Sequence, residues 1–307
     1  QIGLRYENTI VEGTTTSLDL TQNQTNNFSY DQIFPTIYLT YTHNENHNFS
    51  VNYSKRIGRP IFWHLNPFKV YINSFTFAEG NPFLQPSFTD NYEINYNLKE
   101  NLSFKIYYSN TIDGSTQLPI IQTNGDETIL RYFRDNYVDR SQFGGTISYY
   151  FDKFSWWESS NTINGYNNVT TFIKDVPTEA RNGFQYHFFT YNSFTLNKSK
   201  SLKAEVNFEF HSARREFYYS ATQYNKLDLG LRYSIKDKGL NFILLASDVF
   251  RSYQADFTSV VNNVSQLNNN YYDERKILVG VTYKFGNKKL AVNQRESGNE
   301  EVQGRLK

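Results

Sequence analysis

The chain has 307 residues with no Cys and no Met, and its 25 Tyr, 26 Phe and 3 Trp make 18% of it aromatic. Mean hydropathy is −0.64, and no window approaches the roughly 20 consecutive apolar residues of a spanning helix, which excludes a helical membrane protein. The missing cysteines remove disulfide scaffolds, thiolate metal sites and Cys nucleophiles together, and 31 basic against 30 acidic residues, a net +1, gives no bias toward nucleic acid.

In chain order the dominant signal is period-two alternation. Tyr92, Ile94, Tyr96 and Leu98 point one way and Asn91, Glu93, Asn95 and Asn97 the other; Leu202, Ala204, Val206, Phe208 and Phe210 oppose Lys203, Glu205, Asn207, Glu209 and His211. Successive strand residues alternate faces, so each run reads as a strand with one apolar and one polar side. About twelve such strands are expected, over 1–11, 34–42, 48–57, 88–98, 102–121, 127–151, 155–172, 182–197, 201–217, 221–235, 240–262 and 271–286. Tight connections (43–47, 99–101, 152–154, 198–200, 236–239) alternate with generally longer ones (12–33, 58–87, 122–126, 173–181, 218–220, 263–270).

Short turns at one end and longer loops at the other describe an antiparallel transmembrane β-barrel. Several runs reach roughly 15 to 25 residues, well beyond the usual 3–10 of globular strands. Aromatics crowd the strand ends, as in Tyr149-Tyr150-Phe151 with Trp156-Trp157, Tyr218-Tyr219 and Tyr271-Tyr272, where membrane–water girdles lie. The last strand alternates Ile277, Val279, Val281, Tyr283 and Phe285 outward and stops there. Residues 287–307 are polar with mixed charge and read as a mobile tail.

Enzyme chemistry finds no foothold. His43-Asn44-Glu45-Asn46-His47 spaces two His four apart, but it occupies an expected tight turn and not a helix, so no metal site is assigned. There is no G-x-S-x-G, phosphate loop or dinucleotide fingerprint, and no cofactor is expected.

The most distinctive stretch is 55–86, with Lys55-Arg56-Ile57-Gly58-Arg59-Pro60, Phe62-Trp63-His64-Leu65-Asn66-Pro67-Phe68 and Glu79-Gly80-Asn81-Pro82-Phe83-Leu84-Gln85-Pro86. Each Pro fixes φ, and the Gly and Asn positions suit turns, so this is an ordered loop. Together with Ser247-Asp248-Val249-Phe250 and Tyr283-Lys284-Phe285-Gly286-Asn287, it resembles the signature of TonB-dependent outer-membrane receptors of the outer membrane protein β-barrel family.

The resemblance implies a 22-stranded barrel around a plug, in the bacterial outer membrane, that imports a scarce solute (siderophore, oligosaccharide, peptide or similar) and is energised by the TonB complex. Neither a plug nor a TonB box is found in the sequence, so residues 1–286 are expected to be the C-terminal strands of a larger barrel and 287–307 a periplasmic tail. Outer-membrane lipid and the solute are the expected partners, with TonB acting through an N-terminal portion. In that frame Glu93, Lys105, Lys203, Glu205, Glu209, His211, Asp228 and Arg232 would line the lumen, since lipid penalises a midplane Lys or Arg by roughly 2–4 kcal/mol. Trp63, His64, Tyr71 and Phe75 in the 58–87 loop are the candidates for ligand capture, by stacking on a sugar ring or chelate face. Two alternatives remain at this level: a passive twelve-stranded channel or porin, and a soluble carbohydrate-binding β-sandwich.

Overall fold

Alternation over long stretches with little interrupting Pro or Gly leaves the backbone one economical solution, which is to pair each strand with its sequence neighbour. In the computed structural model, which describes residues 1–16, 23–124, 127–176 and 178–285, β1 (Ile2–Thr15), β2 (Gln24–Asn44) and β3 (His47–Gly58) open a sheet. A helical turn, α1 (Phe62–Leu65), and the small strands β4 (Val70–Asn73) and β5 (Thr76–Glu79) come next. The sheet resumes with β6 (Ser87–Leu98), β7 (Leu102–Asn124), β8 (Glu127–Phe154), β9 (Trp157–Phe172), β10 (Gly183–Thr195) and β11 (Leu202–His211). Then come β12 (Arg214–Glu216), β13 (Tyr219–Ala221), β14 (Tyr224–Ile235), β15 (Leu240–Ser247), β16 (Gln254–Val261), β17 (Val264–Tyr271) and β18 (Lys276–Tyr283).

Twelve strands form one antiparallel path, β1-β2-β3-β6-β7-β8-β9-β10-β11-β14-β15-β18, whose two outermost strands do not pair with each other. One face of this path is apolar and uncovered: Leu4, Ile94, Ile106, Leu231, Val279 and Phe285 are all at least 45% exposed. At the Phe154–Trp157 turn, Phe154 stacks on Trp156 (5.9 Å) and Trp157 on Phe194 (6.2 Å), forming an aromatic rim at the short-turn end.

Strand lengths are uneven. An apolar membrane band needs about 9–11 tilted residues per strand; β15 and β18 have 8 each, while β7 has 23 and β8 has 28. The β7–β8 pair therefore rises far above the band. A register shift between Thr111 and Gly114, with Asp113 at φ 57°, marks where the extension begins, as a bulge that bends the ribbon. Gly114 is required there, because a Cβ would lie 2.9 Å from the Val138 carbonyl oxygen.

Several long-loop expectations are corrected by the structure. Segment 12–33 is largely strand, because β1 continues to Thr15 and β2 begins at Gln24. The expected strand 201–217 stops at His211, and 240–262 breaks between Ser247 and Gln254. Beyond these two breaks the chain leaves the main path: β12, β13, β16 and β17 form a second, four-stranded sheet. Residues 263–270, expected as loop, are mostly β17, joined to β16 through Asn262 and Asn263 in left-handed conformations. Leu118, Tyr137, Val138 and Val261 form the buried core between this sheet and the β7–β8 extension, with Phe172, Phe217 and Tyr218 packed around it. The Asn262 amide donates to the Pro119 carbonyl (2.6 Å), and the Tyr218 hydroxyl to that of Gln117 (3.1 Å). Period-two alternation misled here because both halves of a broken strand keep their alternation. The polar tail 287–307 lies outside the described residues.

Candidate ligand-capture site at the barrel mouth

The loop from Arg59 to Pro86 is locked from several sides. Asn66 and Asn73 each close a turn with their side-chain oxygens, accepting from the backbone N–H of Phe68 (3.0 Å) and Phe75 (2.9 Å). Gly80 lies so close to the His64 and Asn66 carbonyls that a Cβ would come within 2.6 Å of the latter. The neighbouring Asn81 N–H donates to His64 O at 2.7 Å. The run Asn81–Gln85 is then sewn to the wall. The Asn26 amide donates to Pro82 O (2.7 Å), the Gln85 N–H to Asn136 Oδ1 (2.9 Å), and Asn136 Nδ2 returns a bond to Gln85 O (3.0 Å). Leu84 is fully buried, and β5 pairs in parallel with β8, reinforced by an Arg131–Glu79 ion pair. The Gly, Asn and Pro positions of the signature thus act as scaffold, and they present the aromatic side chains between them.

Of the four capture candidates, Trp63 (58% exposed), Tyr71 (66%) and Phe75 (60%) stand open, while His64 is half-buried. Trp63 and His64 meet at one crevice, shared with Asn66, Phe68, Gln117 and Arg134. Burial, with the Arg134 guanidinium adding to it, holds the His64 imidazole below its ordinary pKa. Tyr71 and Phe75 sit apart on the β4–β5 hairpin, the Tyr71 ring 5.7 Å from Phe77. Phe68 and Phe83, which alternation cannot single out, are also more than half exposed.

The eight polar candidates share the sheet face opposite the exposed apolar one. Strand register puts Lys105, Thr146, Asn164, His187, His211 and Tyr224 in one row across six strands. Five of the eight are ion-paired on this face: Arg232–Glu205 at 3.1 Å, Lys203–Glu158 at 3.6 Å, and Lys226 with Glu209 (3.5 Å) and Asp228 (3.6 Å). Asp228 also accepts from the Ser247 hydroxyl and the Asp248 N–H, both at 2.9 Å. The His211 ring stacks on Tyr224 at 4.4 Å and lies 4.7 Å from His187. Lys105 Nζ lies 5.5 Å from the centroid of Tyr107, the register partner of Glu93.

Sequence reasoning missed a cluster where the second sheet meets this face. Glu216 accepts from Arg140 (2.8 Å), Gln185 (3.3 Å) and the Tyr219 hydroxyl (3.0 Å), and Arg140 also donates to Asn168 Oδ1 (2.5 Å). Asn168 and Gln185 are at most 1% exposed. Burial and the adjacent Glu216 carboxylate push the Tyr219 phenol up to about 12, so it stays a donor. A cleft of about 330 Å³ opens beside this cluster, lined by Arg59, His64, Gln85, Ser87, Arg140 and Phe217 among others. The even-numbered polar residues of β8 and β9 were the available signal, but Glu216 was placed in a continuous strand.

The family model for the outer membrane protein beta-barrel family matches residues 1–283. The chain belongs to this family, and its place is the bacterial outer membrane. Its fold is also found in solved receptor structures. The ferric-catecholate import receptor Fiu from E. coli K12, in a closed form, is 13% identical, with a TM-score of 0.57 over 91% of this chain and 41% of that one. The siderophore receptor PirA from Pseudomonas aeruginosa is 9% identical, with a TM-score of 0.56 over 83% and 47%. A ferric enterobactin receptor mutant from P. aeruginosa, solved with enterobactin, is 13% identical, with a TM-score of 0.52 over 81% and 40%. The chain thus spans less than half the length of each of these receptors. No curated protein sequence matches it.

Proposed function

We propose that the chain forms the C-terminal strands of a TonB-dependent importer, with the polar sheet face as the lumen wall and the Arg59–Pro86 loop as the outer capture surface. The observation that carries this reading is the twelve-strand path whose end strands, β1 and β18, leave their outer edges unpaired. A closed passive channel of twelve strands would join them, because an open edge within lipid strands its backbone donors and acceptors without partners. A sheet continued by about ten further strands joins both edges to new neighbours and encloses a lumen wide enough for a plug. The coverage of 40–47% of the matched receptors agrees with that share.

In this reading a solute is met first by Trp63, Tyr71 and Phe75, whose ring faces are open, and is passed to a wall of paired charges, where displaced hydrogen bonds are readily remade. Its chemical class is a siderophore, oligosaccharide, peptide or similar compound. The work is transport, and no bond of the solute is broken.

Two measurements test this together. The receptor purified from outer membranes should be nearly silent in planar bilayers, and uptake of its solute by whole cells, sought with a panel of iron-labelled siderophores, oligosaccharides and peptides, should stop when TonB is deleted. Steady single-channel conductance with TonB-independent uptake would overturn the proposal in favour of a passive pore.

A further inference from the structure

The outward face of the wall carries a polar network low on β9 and β10. Phe194 pairs with Ala204, and Ala204 with Leu231, which is 45% exposed on the uncovered apolar face. Directly opposed residues share a face, so Phe194 and its other register partner, Trp157, point the same way. Residues two and four positions along a strand keep that face. Ser159, Asn161, Thr190 and Asn192 therefore point outward as well, in the register pairs Asn161–Thr190 and Ser159–Asn192.

These side chains form one directional chain of hydrogen bonds. Trp157 Nε1 donates to Asn192 Oδ1 (3.1 Å), and Asn192 Nδ2 to Thr190 Oγ1 (2.9 Å). The Thr190 hydroxyl donates to Asn161 Oδ1 (2.7 Å), and Asn161 Nδ2 to Ser159 Oγ (2.8 Å). An amide of this kind carries two protons, and Asn161 spends only one of them among the described residues. Asn161 is half-buried, so the remaining donor is within reach of the surroundings. A donor left facing hydrocarbon is costly, and a ligand with an acceptor oxygen relieves that cost.

Height and charge narrow the choice of ligand. Trp157 is the first residue of β9, and Thr190 stands five before the end of β10. At about 2.5 Å of height per tilted residue, the network lies within roughly 12 Å of the short turns, in the lower half of an apolar band about 25 Å tall. Phe154 and Trp156, 50% and 51% exposed, stand at its lower edge. Lys153 closes β8 on one side, and Lys198 and Lys200 occupy the β10–β11 turn on the other. The Thr195 N–H donates to Trp156 O at 2.7 Å, which ties these strand ends side by side. Asn197 Oδ1 fixes the second turn by accepting from the N–H groups of Ser201 (2.9 Å) and Leu202 (3.2 Å). All three lysines are exposed and make no ion pair among the described residues. Asp152 is the single carboxylate in the two turns, whereas the turns at 43–47 and 99–101 carry no basic excess of Lys and Arg.

We infer that this outward face of β8–β11 binds the headgroup of an acidic phospholipid in the periplasmic leaflet. The turn lysines meet its phosphate, Asn161 meets glycerol or ester oxygens, and the exposed rings of Phe154 and Trp156 pack at the interface beside it. A second copy of the receptor fits the same face poorly. A two-fold contact sets each patch against its own copy, which opposes lysine to lysine. The inference rests on the reading of the chain as a wall whose short turns face the periplasm, and it holds whether or not the receptor proves an importer.

The test uses the whole receptor in detergent and native mass spectrometry at about 0.15 M ionic strength, where the Debye length is only about 8 Å and diffuse attraction is screened. The probes are phosphatidylglycerol and phosphatidylethanolamine with identical acyl chains, and phosphatidylglycerol is expected to be retained in preference. Lys153→Gln/Lys198→Gln/Lys200→Gln should weaken that retention about tenfold or more, each lysine near the lipid surface contributing up to about fivefold. Asn161→Leu/Asn192→Leu, which makes the face continuously apolar, should weaken retention of both lipids. Lys69→Gln/Lys276→Gln, at the opposite end of the strands, should change neither. Heat-modifiable migration on gels confirms that each variant is folded, and Asn161→Leu alone serves if the double variant is not.

The inference is overturned if phosphatidylethanolamine is retained as well as phosphatidylglycerol, or if Lys69→Gln/Lys276→Gln weakens binding as much as the turn variant. Full retention in Asn161→Leu/Asn192→Leu overturns it too, because the effect is then diffuse attraction to the turns. A receptor dimer that the same variant dissociates assigns the face to a second copy and has the same consequence. Orientation is read separately. Ser199→Cys should react with a membrane-impermeant thiol reagent only after the outer membrane is permeabilised; labelling in intact cells overturns the leaflet assignment whatever the lipid result.

Discussion

In the membrane band, Ile94, Ile106, Leu231 and Val279 leave 45–74% of their surface uncovered, whereas Leu84, Leu118 and Val261 in the layer above are at most 1% exposed. Both regions are antiparallel β-structure, but different solvents complete them. In the band, the backbone is satisfied by sequence-neighbour pairing and the apolar side chains face outward uncovered, so the sheet stands with little side-chain burial within the chain. In the layer above, water surrounds the chain, and order has to come from a core and from hydrogen bonds of long sequence span, such as Asn262 to Pro119 and Tyr218 to Gln117. The upper layer behaves as a small soluble domain grown from the rim of a membrane wall.

The sharpest way to break that comparison is a pair of crossed mutations. Leu118→Ala removes a buried side chain from the upper core and should cost about 2–5 kcal/mol, read as faster hydrogen exchange in β16, β17 and the 212–223 segment. The band should keep its exchange protection and its heat-modifiable migration. Ile106→Arg, four residues beyond the start of β7 and on the lipid-facing side, should do the reverse. It is expected to cost roughly 2–4 kcal/mol in a denaturant titration of folding into bilayers, with exchange in the upper layer unchanged. The double mutant should be additive within a few tenths of a kcal/mol, since the sites share no partners. Strong coupling would mean that the two regions fold as one unit.

A smaller effect is expected where the two regions meet. Glu216 joins Arg140 and Gln185 of the wall to Tyr219 of the hairpin. Glu216→Gln keeps the shape but removes the charge, and should cost about 1–3 kcal/mol, seen as selective proteolysis of the Arg214–Ala221 hairpin. The Tyr219 phenol offers a second readout. Its pKa of about 12 in the folded state exceeds the ordinary 10.0, so the folded state holds its proton more tightly. The hairpin's stability should be constant below pH 10 and fall between pH 10 and about 12. The difference in tyrosinate absorbance between the native chain and Tyr219→Phe should contain a late-ionising phenol, and the same difference taken in a Glu216→Gln background should ionise earlier.

How much of this was legible in the sequence divides along the same line. The twelve strands of the band could be read because parity is a local property: Tyr92 and Ile94 declare their face without reference to anything distant. Of the polar row from Lys105 to Tyr224, parity marked Lys105 and His211 for the same reason, and the register alone joined them to the rest. The upper layer could not be read that way. Val261 is buried by Leu118 and Val138, residues more than 100 positions away, and nothing near Val261 announces it. Trp63 and His64 meet because Gly80 and Asn81 clamp the His64 carbonyl. The sequence displayed the clamp residues as a motif, but not the distinction between what they hold and what they present.

The smallest expected effect concerns that clamp. His64 is held below its ordinary pKa of 6.5, mainly by burial and further by Arg134. The unfolded loop therefore binds a proton at higher pH than the folded loop does. As pH falls through 6.5, the unfolded state gains protons first, so the stability of the loop declines on acidification and is unaffected above neutrality. Exchange at Gly80 and Asn81, whose N–H groups donate to Asn66 and His64, should quicken below about pH 6.5 in the native chain. His64→Gln, which keeps a polar side chain but cannot ionise, should abolish the pH dependence while leaving exchange at neutral pH nearly unchanged. If acid sensitivity persists in that variant, its source lies among the carboxylates that anchor the loop, Glu79 with Arg131 and Asp135 with Asn81, and the imidazole has no part in it.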